Sequence, residues 1–154
     1  MAKQRWVFVV QALDKPGTLT AVAAVFSNRG VSLEGILGSG IAPMTPEGGR
    51  LVISFCATQP KQQLLHRALE RLSSIFHVDV YTSSDERLRA IAVAKLDPAT
   101  PLPAAVDYRA ETILQTDSER MVMLTGTPSR VEDALEHFRE QQQLLDLVTS
   151  YIAI

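Results

Sequence analysis

The sequence predicts an α+β chain made of a ferredoxin-like βαββαβ module followed by a truncated second copy of it. Three observations carry this expectation. Short apolar runs and amphipathic stretches follow one another in the order β-α-β-β-α-β over the first half of the chain. In that order each helix forms the crossover between two parallel strands, so right-handed crossovers place both helices on one face of a four-stranded sheet whose neighbours are antiparallel. Beyond about residue 85 the order resumes with its first helix shortened. The expected domains are therefore residues 1–84 and 85–154.

The first strand is Trp6-Val7-Phe8-Val9-Val10, aromatic and β-branched and apolar on both parities, as a strand covered on both faces must be. After a break at Asp14-Lys15-Pro16-Gly17, the residues Leu19, Val22, Ala23 and Phe26 recur at helical spacing, and Gly30 stands where a helix end needs positive φ. Val31 to Leu37 reads as the second strand and Leu51 to Thr58 as its hairpin partner, with Pro43, Pro46, Gly48 and Gly49 in the connection. From Lys61, the stripe Leu64, Leu65, Ala68, Leu69 and Leu72 predicts a second helix, and Ile75 to Tyr81 the fourth strand.

The second half repeats this pattern with one loss. Leu88 to Leu96 is a strand candidate, Glu111–Gln115 and Met121–Thr125 form a hairpin pair, and Val131, Ala134, Leu135 and Phe138 mark a helix. Thr127 before Pro128 supplies its start signal, with Ser129 and Glu132 as an alternative capping pair. Leu144 to Ile152 closes the sheet. Pro98, Pro101 and Pro103 leave room for only a turn or two of helix near Ala104 to Tyr108.

Composition narrows the function classes. With 46% apolar residues in 154, the chain can bury a core, and its net charge of -2 gives no general attraction to phosphate backbones or anionic membranes. No apolar stretch approaches the roughly 20 residues that a membrane span needs. Cys56 is the single cysteine, so no intrachain disulfide forms, and its apolar setting predicts a buried, inert thiol. A cytosolic protein is expected, with neither nucleic acid nor membrane as partner.

No string of residues has the spacing of a nucleophile elbow, a phosphate-binding loop or a dinucleotide fingerprint. His66, His77 and His137 fall on different elements without metal-ligand spacing, and Ser39 in Gly38-Ser39-Gly40 reads as loop. An RNA-binding sheet would need stacking aromatics on its central strands, and the third strand offers only Phe55. Neither a catalytic residue, a metal nor a cofactor is expected.

The segment Asp14-Lys15-Pro16-Gly17-Thr18-Leu19 joins strand, sharp turn and helix start. Gly17 lacks a Cβ and permits close approach, Pro16 fixes the entry to the helix, and helix amides from about Thr18 onward lack intrahelical acceptors and suit a carboxylate. Asp14 or an opposing acceptor would meet an ammonium group. By composition alone such a turn is more often only a turn.

Asp-Lys-Pro-Gly-x-Leu at 14–19, followed by Ala21 through Phe26-Ser27-Asn28-Arg29-Gly30 to Glu34, resembles the start of an ACT domain. The Phe-Ser-Asn-Arg-Gly string, the tandem arrangement and the length resemble the small regulatory subunit of acetolactate (acetohydroxyacid) synthase, over residues 5–96 and more weakly over 120–154. The resemblance implies a non-catalytic subunit whose modules pair side by side through sheet edges as a homodimer or tetramer. It implies valine or a related small amino acid at the module interface, and a thiamine-diphosphate-dependent large subunit as the partner it activates and subjects to feedback control. Carried over by position, the ligand residues are Asp14, Lys15, Pro16, Gly17, Thr18 and Leu19 with Ser32 and Leu33. Ser32 departs from the family's usual Asn, whose amide both donates and accepts, so weaker or altered amino-acid specificity is expected. Thr149-Ser150-Tyr151 stands where the family usually continues through an Arg-(Ser/Thr)-Gly segment, which bears on docking of the large subunit.

Overall fold

A computed structural model describes residues 2–40, 48–102 and 108–154. The chain divides into two compact units, residues 1–85 together with Ala153 and Ile154, and residues 86–152. The first unit runs β1 (Gln4–Leu13), α1 (Thr18–Ser27), β2 (Leu33–Ser39), β3 (Gly48–Ala57), α2 (Gln59–Glu70) and β4 (Ile75–Thr82). Its sheet has the order β2-β3-β1-β4, with every neighbour antiparallel. This is the expected ferredoxin-like arrangement.

Alternation along β1 decides where the core lies. Trp6, Phe8, Val10 and Ala12 join Val22, Val25 and Phe26 of α1 and Leu65, Ala68 and Leu69 of α2 in one buried cluster. Three aromatic rings hold its centre: Phe8 meets Phe55 edge-on at 4.8 Å and Phe55 meets Phe26 at 5.0 Å, an arrangement that ring quadrupoles favour. On the alternate parity Val7 and Val9 are also fully buried, as a strand apolar on both parities requires.

Several boundaries differ from expectation for local reasons. The α1 stripe is rotated: Thr18, Val22, Val25 and Phe26 are buried, whereas Leu19 is half exposed. In α2 the exposed residue of the expected stripe is Leu64, and Gln62 is buried in its place. That helix begins at Gln59 rather than Lys61, because Thr58 leaves the strand to cap it, its hydroxyl accepting from the Lys61 amide at 3.4 Å, with Pro60 in the first turn. At the end of α1, Gly30 has φ +67° and Val31 N–H reaches back to the Phe26 carbonyl at 3.0 Å, closing the helix as expected. Cys56 is half-buried rather than buried.

The second unit runs β5 (Arg89–Leu96), β6 (Tyr108–Gln115), β7 (Arg120–Gly126), α3 (Pro128–Glu140) and β8 (Leu144–Ile152), in the sheet order β6-β7-β5-β8. Ala90, Ala92, Ala94 and Leu96 alternate inward, and the α3 stripe Val131, Ala134, Leu135 and Phe138 is buried as the spacing predicts. Thr127 stands at the N-cap of α3 without a side-chain capping bond, and Pro128 opens the helix. Glu132 accepts a hydrogen bond from the Tyr151 hydroxyl at 2.6 Å, tying β8 to α3. The short helical turn expected near Ala104 to Tyr108 lies outside the described residues except for Tyr108, which begins β6. Pro43 and Pro46 also lie outside them. Among the described residues no helix is long and apolar enough to cross a membrane.

Across the ends of three strands, Glu34 of β2 accepts from Arg5 Nε at 2.6 Å and from the Cys56 thiol at 3.1 Å. Burial opposes ionisation of Glu34, but the hydrogen bonds from Arg5 and Cys56 and the Arg5 charge outweigh it and hold the carboxyl below the usual glutamate range. A folded-state pKa below the unfolded one contributes stability that is complete above the ordinary range and is lost as the pH falls through the folded value. Urea midpoints recorded from about pH 7 down to about pH 3 should therefore fall less steeply in Glu34→Gln than in the wild type. Phe8→Ala removes the ring shared by the aromatic cluster, and equilibrium unfolding should show a loss of about 3–5 kcal/mol.

Candidate functional site

The turn after β1 is built by short-range hydrogen bonds. Lys15 N–H donates to the Leu13 carbonyl at 3.1 Å, Thr18 N–H to the Lys15 carbonyl at 3.3 Å, and the buried Thr18 hydroxyl to the Leu13 carbonyl at 2.9 Å. Leu13 N–H donates to the Ser74 carbonyl at 2.8 Å, which anchors the strand end from the other side. Gly17 is the N-cap of α1 at φ +90°, a left-handed conformation that a side chain would strain, and no side chain caps the helix. The amide of Thr18 is thus occupied, so the helix donors without an intrahelical acceptor begin one residue later than the sequence suggests, at Leu19 and Thr20.

A cleft of about 210 Å³ opens beside this turn. Leu13, Asp14, Lys15, Thr18 and Leu19 form one wall; the end of β2 from Gly38 to Gly40 and the start of β3 from Gly49 to Leu51 form the other. Glycines shape that second wall. A Cβ on Gly40 would stand 2.5 Å from Asp14 Oδ2 and would displace the carboxylate, and one on Gly49 would stand 3.3 Å from Asp14 Cβ and would crowd it. Arg50, next along β3, also lines the cleft, and its Nε is buried without a hydrogen-bond partner among the described residues. The cleft thus combines an apolar side (Leu13, Leu19, Leu51), the Asp14 carboxylate and the first open amides of a helix.

Of the residues expected to act together, Asp14, Lys15, Thr18 and Leu19 line the cleft, with Pro16 and Gly17 shaping its turn. Ser32 and Leu33 do not. Leu33 pairs with Phe55, whereas the turn meets β3 at Gly49, opposite Ala12. Six positions of extended strand separate them, about 20 Å, too far for one small amino acid to touch both within one module. The glycine wall is not evident from the sequence pattern: Ser39, expected in a loop, ends β2 paired with Arg50. The two Gly-rich strings, Gly38-Ser39-Gly40 and Gly48-Gly49, were the available signal, because glycine in paired strands marks close approach.

The three histidines lie apart on α2, β4 and α3; His66 contacts the Val78 carbonyl at 3.2 Å and His77 the Asp79 carboxylate at 2.9 Å. Among the described residues no group of three or more His, Cys, Asp or Glu side chains is placed to hold a metal ion.

Comparison with solved structures finds an acetolactate synthase small subunit from Thermotoga maritima at TM-score 0.70 and 19% identity, with 98% of this chain and 96% of that one covered. The fold is shared from end to end. The regulatory subunit of aspartate kinase from Thermus thermophilus also matches, at TM-score 0.49 and 17% identity over 90% of this chain and 94% of that one, too distant to carry weight. No protein-family model matches the sequence, and no curated protein matches it.

The backbone at Gly17 gives a direct check on the turn. A Cβ there meets nothing within 4 Å, so Gly17→Ala is resisted by conformation and not by crowding. Thermal or urea unfolding of this variant should show a loss of about 1–2 kcal/mol.

Proposed function

We propose that this chain is a non-catalytic regulator that binds a small apolar amino acid at the β1–α1 cleft and reports its occupancy to an acetolactate synthase large subunit. The observation that carries the reading is the cleft itself. It offers open helix amides for a carboxylate, Asp14 for an ammonium group, and Leu13, Leu19 and Leu51 for an aliphatic side chain, in a volume of about 210 Å³. Its place at the first turn of a fold shared with an acetolactate synthase small subunit supports the same assignment.

The separation of Ser32 and Leu33 from the turn bears on mechanism. Both groups contribute to one site only if they come from different copies, one module's turn facing another's β2 start. Ligand bound between copies would favour one dimer geometry by its differential affinity, and that preference would be what the large subunit senses. A homodimer or tetramer, cytosolic and without cofactor, follows from this reading. The alternative is a stand-alone regulator of the same fold for another small ligand, or a structural partner that binds none.

Isothermal titration with valine, leucine and isoleucine is the decisive measurement. Saturable heat is expected for at least one, lost or weakened about tenfold in Asp14→Asn, which removes a charge-assisted contact; no heat for any of them would sink the sensor reading. Stimulation of a thiamine-dependent large subunit, together with its co-purification, separates the leading reading from the stand-alone one. Light scattering at micromolar concentration should give at least a dimer mass, and a monomer would refute the shared-site mechanism.

A further inference from the structure

A second groove, of about 430 Å³, lies wholly in the second unit. The strand register shows how it is built. Arg109 of β6 pairs with Thr125 of β7, and Thr125 stands beside Ile91 of β5, so the three share one row on one face. Arg89 lies two residues before Ile91 on that face and pairs with Ile152 of β8. Arg109 and Ile91 are thus two strands apart, about 10 Å, a span that two arginine side chains can close from opposite sides.

The electrostatics of this groove are one-sided. Among the described residues Arg109 has neither hydrogen bond nor ion pair. Arg89 uses Nη1 for the Glu86 and Leu88 carbonyls, at 2.5 and 2.8 Å, so neutral acceptors hold its guanidinium, and among the described residues it forms no ion pair. Tyr108 also lines the groove, and burial raises its phenol pKa, which keeps it a neutral donor. The described lining contains no acidic side chain, while Ile91, two residues along β5 from Arg89, and Ile152, across from Arg89 on β8, make an apolar portion beside the cations. Paired forked donors beside an apolar patch recognise a carboxylate with an aliphatic body. The absence of an acid in the lining disfavours an ammonium group on the same ligand.

We infer that this groove is a second ligand site, separate from the cleft at Asp14, that takes a small branched aliphatic carboxylate lacking an ammonium group between Arg89 and Arg109. Such a molecule is the deaminated counterpart of an apolar amino acid. The site would let one chain sense both classes of compound.

Titration of the full chain with sodium 3-methylbutanoate, with acetate and inorganic phosphate as separate probes, tests this. Saturable binding of 3-methylbutanoate is expected, with acetate and phosphate each at least about tenfold weaker. Arg109→Gln, at an exposed position, should weaken 3-methylbutanoate about tenfold and leave the valine titration unchanged. Ile152→Ser should narrow the gap between 3-methylbutanoate and acetate. Absence of saturable heat with 3-methylbutanoate, equal binding of phosphate, or undiminished affinity in Arg109→Gln would each overturn the inference. Because valine is titrated in parallel, failure here is distinguishable from failure of the amino-acid cleft.

Discussion

The register between β1 and β3 is the constraint on which the first unit depends. It runs unbroken from Gln4 opposite Ala57 to Leu13 opposite Gly48, and it fixes two things at once. It brings Phe8 and Phe55 into the same core layer, where their rings meet. It also delivers the turn after Leu13 against Gly49, with just enough room for Asp14. A slip of one residue would turn Trp6, Phe8 and Val10 out of the core, and in one direction it would set Arg50 where Gly49 stands against Asp14. Packing and site geometry are therefore enforced by one ladder, and the core fixes the cleft from a distance.

The polar groups around this frame divide by task. Those at the Ser32 end, Arg5, Glu34 and Cys56, satisfy one another across three strands. At the turn, backbone carbonyls and the Thr18 hydroxyl are consumed in building the loop, while Asp14 is left facing the cleft. Structural demand is met where the module must be rigid. In the second unit the same contrast appears between Glu132, engaged by Tyr151, and the two arginines of the groove, which among the described residues meet no carboxylate.

Much of the fold was legible in the sequence because local signals and tertiary roles coincide. The apolar parity of Trp6 to Val10, the positive-φ glycine at 30 and the α3 stripe each had one physical solution. Leu19 and Leu64 misled because hydrophobicity marks a helix face only when that face meets the core, and both sit at the margin, where a neighbour one residue away serves instead. The cleft was half legible. The turn announces itself locally, whereas its opposing wall comes from residues 38–40 and 49–51, whose closeness to Asp14 is a matter of register that no local pattern encodes. The distance of Ser32 from the turn was hidden for the same reason.

β2 shows what this architecture leaves open. Among the described residues it is the outer strand of its sheet, paired on one side only, and it carries Ile36 and Leu37 at 44% and 39% exposure before it ends in Gly38-Ser39-Gly40. Edge strands are commonly guarded by lysine, proline or a twist that spoils their outer row of amides and carbonyls; from Gly35 to Ser39 this one has no charged residue and no proline. An unguarded edge accepts strand addition from a copy and from a misfolded chain by the same chemistry. A lysine at 36 or 37 would make the protein easier to keep in solution and would also take away the margin along which a second sheet could continue this one.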